Sequence, residues 1–143
     1  MRIIGYTTGV FDLFHIGLLN ILRRAKMECD YLIVGVTTDD LAITGKNTRP
    51  VISFTERIEI VQNIRFVDEA IPQDSYDKYG AWEILKFDKV FVGDDWKGSE
   101  RWQSLEQRFS AVGVEVVYFP YTQQTSSTQL RRVLEVLSTI GKN

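Results

Sequence analysis

The residues best suited to chemistry lie in the segment Thr8-Gly9-Val10-Phe11-Asp12-Leu13-Phe14-His15-Ile16-Gly17, which follows an apolar run of strand length. Its glycines, Gly9 and Gly17, allow the backbone to turn tightly and to approach a ligand closely. His15, the only histidine of the chain, falls where a helix is predicted to begin, and a helix N-terminus favours an anion. An imidazole there can donate a hydrogen bond to a phosphate oxygen. The segment therefore predicts a phosphate-binding turn.

Two further polar segments are placed to contribute to such a site. Residues 39–53 include Lys46 and Pro50 and are predicted to form a long polar loop, which makes them a candidate active-site flap. The residues Gly93-Asp94-Asp95-Trp96 follow an apolar run and predict a sharp turn at the carboxyl end of a strand. Open α/β sheets bind their ligands at that end of the strands.

The elements that must position these residues follow from the hydrophobic pattern. Apolar runs of strand length alternate with amphipathic segments of helical length, which is typical of repeated βα units and a parallel sheet. The predicted strands are 3–8, 31–37, 67–71, 89–92 and 114–119. The predicted helices start near 15 and near 53–55, span 76–86 and 100–111, and start again at Ser126 or Ser127 to end before Gly141. We expect residues 1–143 to form one doubly wound, Rossmann-like α/β domain with five parallel strands and helices on both faces.

Composition excludes several classes of protein. A chain of 143 residues with 44% apolar content can fill one core between a sheet and its helices. The 17 basic and 19 acidic residues are spread along the chain without a basic run, so we expect no nucleic-acid partner. We also expect no membrane partner and a cytoplasmic location, because no long apolar stretch is present and the first residues predict a strand. The single cysteine, Cys29, forms neither an internal disulfide nor a metal cage.

A resemblance to a known family becomes specific at this point. The segment from Gly9 to Leu18 resembles the G-x-F-D-x-x-H-x-G-H signature of the cytidylyltransferase family, in its glycerol-3-phosphate branch. Further matches follow in order along the chain: Arg57 in a Glu-Arg pair, Ile64 to Glu69, Gly93 to Trp96, and Thr122 to Thr128. Because the motifs occur in the same order over essentially the whole chain, the chain is identified as a member of this family.

The resemblance implies a nucleotidyl transfer. The phosphate of a small alcohol phosphate, with glycerol 3-phosphate favoured, would attack the α-phosphorus of CTP to give a CDP-alcohol and pyrophosphate. Such chemistry needs positioning and charge stabilisation more than proton transfer. A Mg²⁺ ion is the expected companion of the triphosphate.

The family pattern also assigns residues to this reaction. Catalytic positions are His15 on the phosphates, Lys46 on the flap, Arg65 near the nucleotide or acceptor, and the position held by Leu18. Nucleotide contacts are expected from Gly9, Val10, Phe11, Asp12, Gly17, Gly93, Asp94, Tyr121, Thr122, Ser126, Ser127 and Thr128. Structural interpretations stand beside these: the serines cap a helix, Asp94 forms a turn, and Arg57 pairs with a carboxylate one turn away on its helix.

Three positions depart from the family pattern. Leu18 stands where the second motif histidine is expected, and leucine cannot donate a hydrogen bond. By analogy with the loss of an oxyanion-hole donor, this costs about 10²–10³ in rate. Tyr121 replaces an arginine and Gln124 a glycine. Three explanations remain open: a deliberate substitution, a natural non-catalytic homologue, and an enzyme that uses a different set of donors. Because the residues around Leu18 otherwise keep the pattern, an impaired member of an active family is favoured.

Two alternatives to CTP-dependent transfer also follow from the sequence. Similar motifs serve adenylyltransferases, so the nucleotide could be ATP. A catalytically silent nucleotide-binding module is the alternative from a different class. The resemblance further predicts a homodimer.

Overall fold

The strands join into one parallel sheet in a computed structural model that describes residues 2–93, 97–120 and 127–140. They are β1 (Ile4–Gly9), β2 (Tyr31–Thr37), β3 (Glu69–Gln73), β4 (Lys89–Gly93) and β5 (Glu115–Phe119). Their order is β3-β2-β1-β4-β5, with every neighbouring pair parallel. The order reverses at β1, so the sheet is doubly wound, as the sequence predicts.

Six helices connect or follow these strands in the part of the chain that the structure describes. They are α1 (Ile16–Met27), α2 (Asp39–Lys46), α3 (Phe54–Gln62), α4 (Lys78–Leu85), α5 (Glu100–Ala111) and α6 (Ser127–Ile140). No helix among the described residues is both long and apolar enough to span a membrane.

The sheet is covered on both faces, which gives the three-layer arrangement. On one face α1 and α3 contribute Leu22, Ala25 and Val61 to a core that includes Leu32, Val34 and Val36 of β2. On the other face α4 and α5 pack around Tyr6, Ile33, Phe87, Val90 and Phe109. A strand buried on both faces must be almost continuously apolar, which explains the sequence Tyr-Leu-Ile-Val-Gly-Val of β2.

The structure corrects the prediction for residues 39–53. Instead of one long loop, the first eight of them form α2. Thr38 caps this helix through its hydroxyl, Asp39 and Asp40 lie in its first turn, and Asn47 ends it in a left-handed conformation. Only the remaining segment, from Asn47 to Ser53, is an extended connection to α3.

A second correction concerns the third strand, which the sequence predicts at 67–71, directly before Pro72. Instead Pro72 lies inside β3, opposite Val36 of β2. Because β3 is an edge strand, one side of its backbone needs no ladder hydrogen bond, and proline is tolerated there.

Candidate active site

A cavity of about 340 Å³ opens at the carboxyl ends of all five strands. Every strand contributes, since Thr8, Thr37, Gln73, Gly93 and Phe119 each end a strand or stand next to its end. Thr7, Gly9, Phe91 and Val92 of the strands also line it. The lining outside the strands comes from helices and from the segments between elements: Ile21, Gly45, Lys46, Tyr76, Lys78, Arg101, Trp102, Leu105 and Pro120. This edge is the one where open α/β sheets bind ligands.

The charges that line the cavity are all positive among the described residues. Lys46, Lys78 and Arg101 contribute cations, and no aspartate or glutamate belongs to the lining. Three unopposed cations in one concave space favour an anionic ligand, and several phosphate groups suit it best.

Lys78, the first residue of α4, is the most perturbed of these cations. Burial, together with the positive charges of Lys46 and Arg101, lowers the pKa of Lys78 to about 8. Its Nζ donates a hydrogen bond to Oγ1 of Thr8 at the end of β1. Sequence analysis missed this residue, because nothing in the local pattern shows that α4 begins beside the end of β1. A bound phosphate would raise the pKa of Lys78 again, because an adjacent anion favours the charged amine.

The carboxyl-terminal end of α2 forms one wall of the cavity. Lys46 stands over the ring of Tyr76, with Nζ 6.0 Å from the ring centroid, and the Tyr76 hydroxyl donates to the carbonyl of Leu41 at 3.3 Å. A Cβ atom at position 45 would overlap the Tyr76 ring, so Gly45 is needed for the helix to pack there. The wall therefore holds Lys46 in the lining of the cavity, at the end of a helix and not on the predicted loop flap.

His15 caps α1 at the same edge of the sheet, although it does not line the cavity itself. Its Nδ1 accepts a hydrogen bond from the backbone N–H of Gly17 at 3.1 Å. Burial lowers the pKa of His15, so the imidazole is neutral near pH 7 and its single proton resides on Nε2. The cap thus fixes the tautomer that can donate from Nε2 to an anion.

Leu18 lies one turn further into α1 and belongs to the packing of the helix. It is half-buried and packs against the core on the α1 face of the sheet, while its backbone N–H donates to the carbonyl of His15 at 3.1 Å. No polar group replaces the expected second imidazole at this position.

Asp12 joins three segments around the turn that follows β1. Its buried carboxylate accepts hydrogen bonds from the backbone N–H groups of Val51 at 2.8 Å and Ile52 at 2.9 Å. Its carbonyl accepts from the hydroxyl of Ser127, in the first turn of α6, at 2.5 Å. Arg131 places its Nε 3.7 Å from the same carboxylate. Asp12 therefore fixes the connection before α3 and the start of α6 to the predicted phosphate-binding turn.

Arg57 is a second buried residue that connects segments in this region. Its contacts favour a structural role over a role in ligand binding. It is fully buried and donates to the carbonyls of Ile52, Val10 and Thr37 at 2.6–2.8 Å. Its remaining nitrogen donates to Asp39 at 2.6 Å, so its carboxylate partner lies on α2 and not one turn away on α3. Burial alone would raise the pKa of Asp39, but the hydrogen bonds from Arg57 and Phe54 and the charges of Arg57 and Arg49 lower it overall.

Two non-glycine residues of the turn adopt left-handed backbone conformations, Phe11 with φ 55° and Leu13 with φ 50°. Such a conformation costs about 1–2 kcal/mol for a residue with a side chain. The turn keeps it because Phe11 is buried in the core and Asp12 is tied on both sides. Stored strain of this kind clusters at ligand-binding turns.

The predicted site residues other than Arg65 divide into four groups. Gly9, Lys46 and Gly93 line the cavity. A second group belongs to the turn after β1, to helix α1 and to the hydrogen bond that connects the turn to α6: Val10, Phe11, Asp12, His15, Gly17, Leu18 and Ser127. Thr128 is exposed on α6. Asp94, Tyr121, Thr122 and Ser126 lie outside the described residues.

Arg65 is the predicted residue that the structure does not bring to this edge. It is exposed in the turn between α3 and β3, and the beginning of β3 lies at the amino edge of the parallel sheet. The role of Arg65 at the nucleotide or acceptor stays a prediction. Within a single chain, the location of Arg65 at the opposite edge of the sheet does not favour that role.

The fold and the cavity together define a class: Rossmann-like α/β proteins that bind an anionic ligand at the carboxyl edge of the sheet. Within that class, residues 6–133 match the model of the cytidylyltransferase-like family. The chain belongs to this family of nucleotidyltransferases.

Comparison with individual proteins shows which members of the family the chain is similar to. A glycerol-3-phosphate cytidylyltransferase of Bacillus spizizenii is 36% identical over 127 residues, which cover 88% of this chain and 92% of the relative. An FAD synthase of Archaeoglobus fulgidus is 32% identical over 90% of this chain and 92% of the relative. Among solved structures, a lipopolysaccharide core biosynthesis protein of Thermoplasma volcanium superposes with a TM-score of 0.71 at 26% identity, covering 87% of this chain and 100% of that one.

Proposed function

We propose that the protein transfers CMP from CTP to a small alcohol phosphate, with glycerol 3-phosphate as the favoured acceptor, and releases pyrophosphate. The observation that carries the proposal is the cavity at the carboxyl edge of the sheet, where Lys46, Lys78 and Arg101 converge without a carboxylate among the described lining residues. The similarity to glycerol-3-phosphate cytidylyltransferases over most of both chains supports the choice of nucleotide and acceptor.

In this reaction an oxygen of the acceptor phosphate forms a bond to the α-phosphorus while the bond from that phosphorus to the β-phosphate oxygen breaks. The electron pair of the broken bond leaves with pyrophosphate, so negative charge grows on the leaving group. The three cations stabilise that charge and hold two anions together that would otherwise repel. The Nε2–H group of His15 supplies a neutral donor beside them, oriented by the cap that its Nδ1 forms with Gly17.

The described residues fit a magnesium ion that is held through phosphate oxygens. They contain no group of three or more His, Cys, Asp or Glu side chains that could hold a metal ion, and both oxygens of Asp12 already accept backbone hydrogen bonds. Mg²⁺ commonly binds through substrate phosphates and one or two carboxylates rather than in a protein cage. When bound, the ion would neutralise part of the triphosphate charge.

ATP is the second candidate nucleotide, and the similarity to FAD synthases favours it. Those relatives cover about as much of the chain as the cytidylyltransferases do, at 27–32% identity. Pyrophosphate release with CTP and with ATP, each in the presence of glycerol 3-phosphate, separates the two nucleotides.

The decisive experiment compares the parent protein with the Leu18→His variant. Restoring the second donor is expected to raise the rate of pyrophosphate release about 10²–10³-fold. The variant should lose some stability, because Leu18 packs against the core. The matched control is Leu19→His, which adds an imidazole one position further along the same helix.

The outcomes distinguish the candidate functions. A rise in turnover with Leu18→His alone supports the impaired enzyme. If neither variant releases pyrophosphate although both bind nucleotide tightly, the result supports the nucleotide-binding module, the alternative that Leu18 makes credible. Absence of binding by both CTP and ATP contradicts both. The predicted homodimer stays a prediction.

A further inference from the structure

A second cavity adjoins the first and has no role in the transfer described above. It has a volume of about 510 Å³ and lies between the start of α4 and one face of α5. Tyr76, Lys78, Arg101 and Leu105 line both cavities, so the two spaces meet at these side chains. We refer to the second cavity as the α4–α5 groove.

The groove carries polar groups that suit a hydroxylated anion. Beyond the shared Lys78 and Arg101, it is lined by the hydroxyls of Ser75 and Ser104 and by Arg108. Asp77 is its only acidic lining residue in the described part of the chain, and Oδ1 of Asp77 is already engaged by the backbone N–H of Gly80 at 3.0 Å. The balance of charge in the groove is therefore positive.

Among the described residues, neither Arg101 nor Arg108 forms an ion pair. The guanidinium of Arg108 stacks on the ring of Tyr79, with its Cζ 4.1 Å from the centroid, which leaves the edge of the guanidinium free to donate. Arg101 acts on Lys78 through its charge. A phosphate between Lys78 and Arg101 would relieve that repulsion.

We propose that the α4–α5 groove holds the distal part of acceptors longer than glycerol 3-phosphate, so that the protein also accepts a phosphorylated polyol or sugar and binds it more tightly. The phosphate of such an acceptor lies between Lys78 and Arg101 where the two cavities meet, and its distal hydroxyls contact Ser75, Ser104 and Arg108. This inference rests on the proposed nucleotidyl transfer and extends its acceptors beyond glycerol 3-phosphate. The groove supports it because it meets the first cavity at Lys78 and Arg101 and adds the polar residues Ser75, Ser104 and Arg108 beyond them.

The test compares two acceptors by calorimetric titration, glycerol 3-phosphate and sorbitol 6-phosphate, which differ in chain length and share the phosphate. The longer compound is expected to bind about tenfold or more tightly, since it adds several hydrogen bonds in the groove. Ser104→Tyr should narrow the groove and weaken sorbitol 6-phosphate about tenfold, while glycerol 3-phosphate and CTP change less than about twofold. Ser110→Tyr is the matched control, because Ser110 is exposed on the same helix and outside the groove.

A second readout follows Lys78 itself without requiring turnover. In protein with carbon-13-labelled lysine, inorganic phosphate or either acceptor should raise the pKa of Lys78 from about 8, since an adjacent anion favours the charged amine. Lys78→Met identifies the signal and should weaken both acceptors.

The inference and the function on which it rests fail in different ways. The proposed role of the groove is wrong if the longer acceptor binds equally or more weakly, or if the Ser104→Tyr variant binds it normally. In that case CTP binding and transfer to glycerol 3-phosphate persist. Loss of nucleotide binding altogether overturns the nucleotidyl transfer.

Discussion

At the scale of single residues, His15 combines two tasks on its two ring nitrogens. Nδ1 caps α1 through Gly17, and the neutral state favoured by burial leaves the proton on Nε2. The sequence predicts the second task from the residue type and its position, whereas the cap and the tautomer follow only from the extended backbone of His15, with φ −146° and ψ 178°. The two tasks can therefore be separated by substitution.

His15→Asn should remove Nε2 and keep the cap, because an asparagine oxygen can accept the Gly17 N–H as Nδ1 does, while the shorter amide N–H₂ does not occupy the position of Nε2. We expect its unfolding free energy to stay within about 0.5 kcal/mol of the parent, while His15→Ala loses about 1 kcal/mol. Both should lower pyrophosphate release about 10²–10³-fold in the more active of the parent and Leu18→His backgrounds. Urea unfolding and the release assay measure the two effects. Full turnover in the asparagine variant would exclude Nε2 from the reaction.

At the scale of elements, Arg57 and Asp12 connect the segments around the turn after β1. Arg57 joins the ends of β1 and β2 to the start of α3, and Asp12 joins the connection before α3 to α6. Three backbone carbonyls depend on one guanidinium, so its loss leaves several buried acceptors without partners.

Arg57→Met, which keeps much of the side-chain volume and no donor, should cost about 3–5 kcal/mol of unfolding free energy. Arg65→Met is the matched control, because Arg65 is exposed and its replacement should change stability by less than about 0.5 kcal/mol. Chemical denaturation of the two variants measures the difference. A cost below about 1 kcal/mol for Arg57→Met would mean that water replaces the guanidinium.

The elements also show what could be read from the sequence and what could not. The predicted bounds of α5 match the structure, and each predicted strand overlaps an observed one, because apolar periodicity reports burial against the sheet. α2 was missed because Ala42 is its only buried residue, which leaves almost no periodic signal. The capping residues Thr38 and Asn47 could have indicated it. The cations Lys78 and Arg101 were missed for another reason: they start different helices, and only the tertiary fold brings them to one cavity.

At the scale of the whole molecule, the cation cluster should make stability depend on pH in a specific way. The pKa of Lys78 is lowered from 10.5 to about 8 in the folded protein, chiefly by burial and also by Lys46 and Arg101. Between these two pH values the unfolded chain binds more protons than the folded one, so folding becomes more favourable as the pH rises. Below about pH 8 both states carry the charge, and the folded protein bears the full cost of burying it.

Lys78→Met removes this cost, so the variant should be more stable than the parent at pH 7, by about 1–3 kcal/mol after allowance for partial solvent screening. The advantage should shrink as the pH rises from about 8 towards 10.5, the range over which the parent loses the buried charge. Urea unfolding at a series of pH values measures the difference between variant and parent, and Lys86→Met, at an exposed lysine directly after α4, should show no such trend. A difference for Lys78→Met that is constant from pH 7 to pH 10.5 would mean that Lys78 stays charged in the folded protein, and that the cavity can hold three cations without a bound anion.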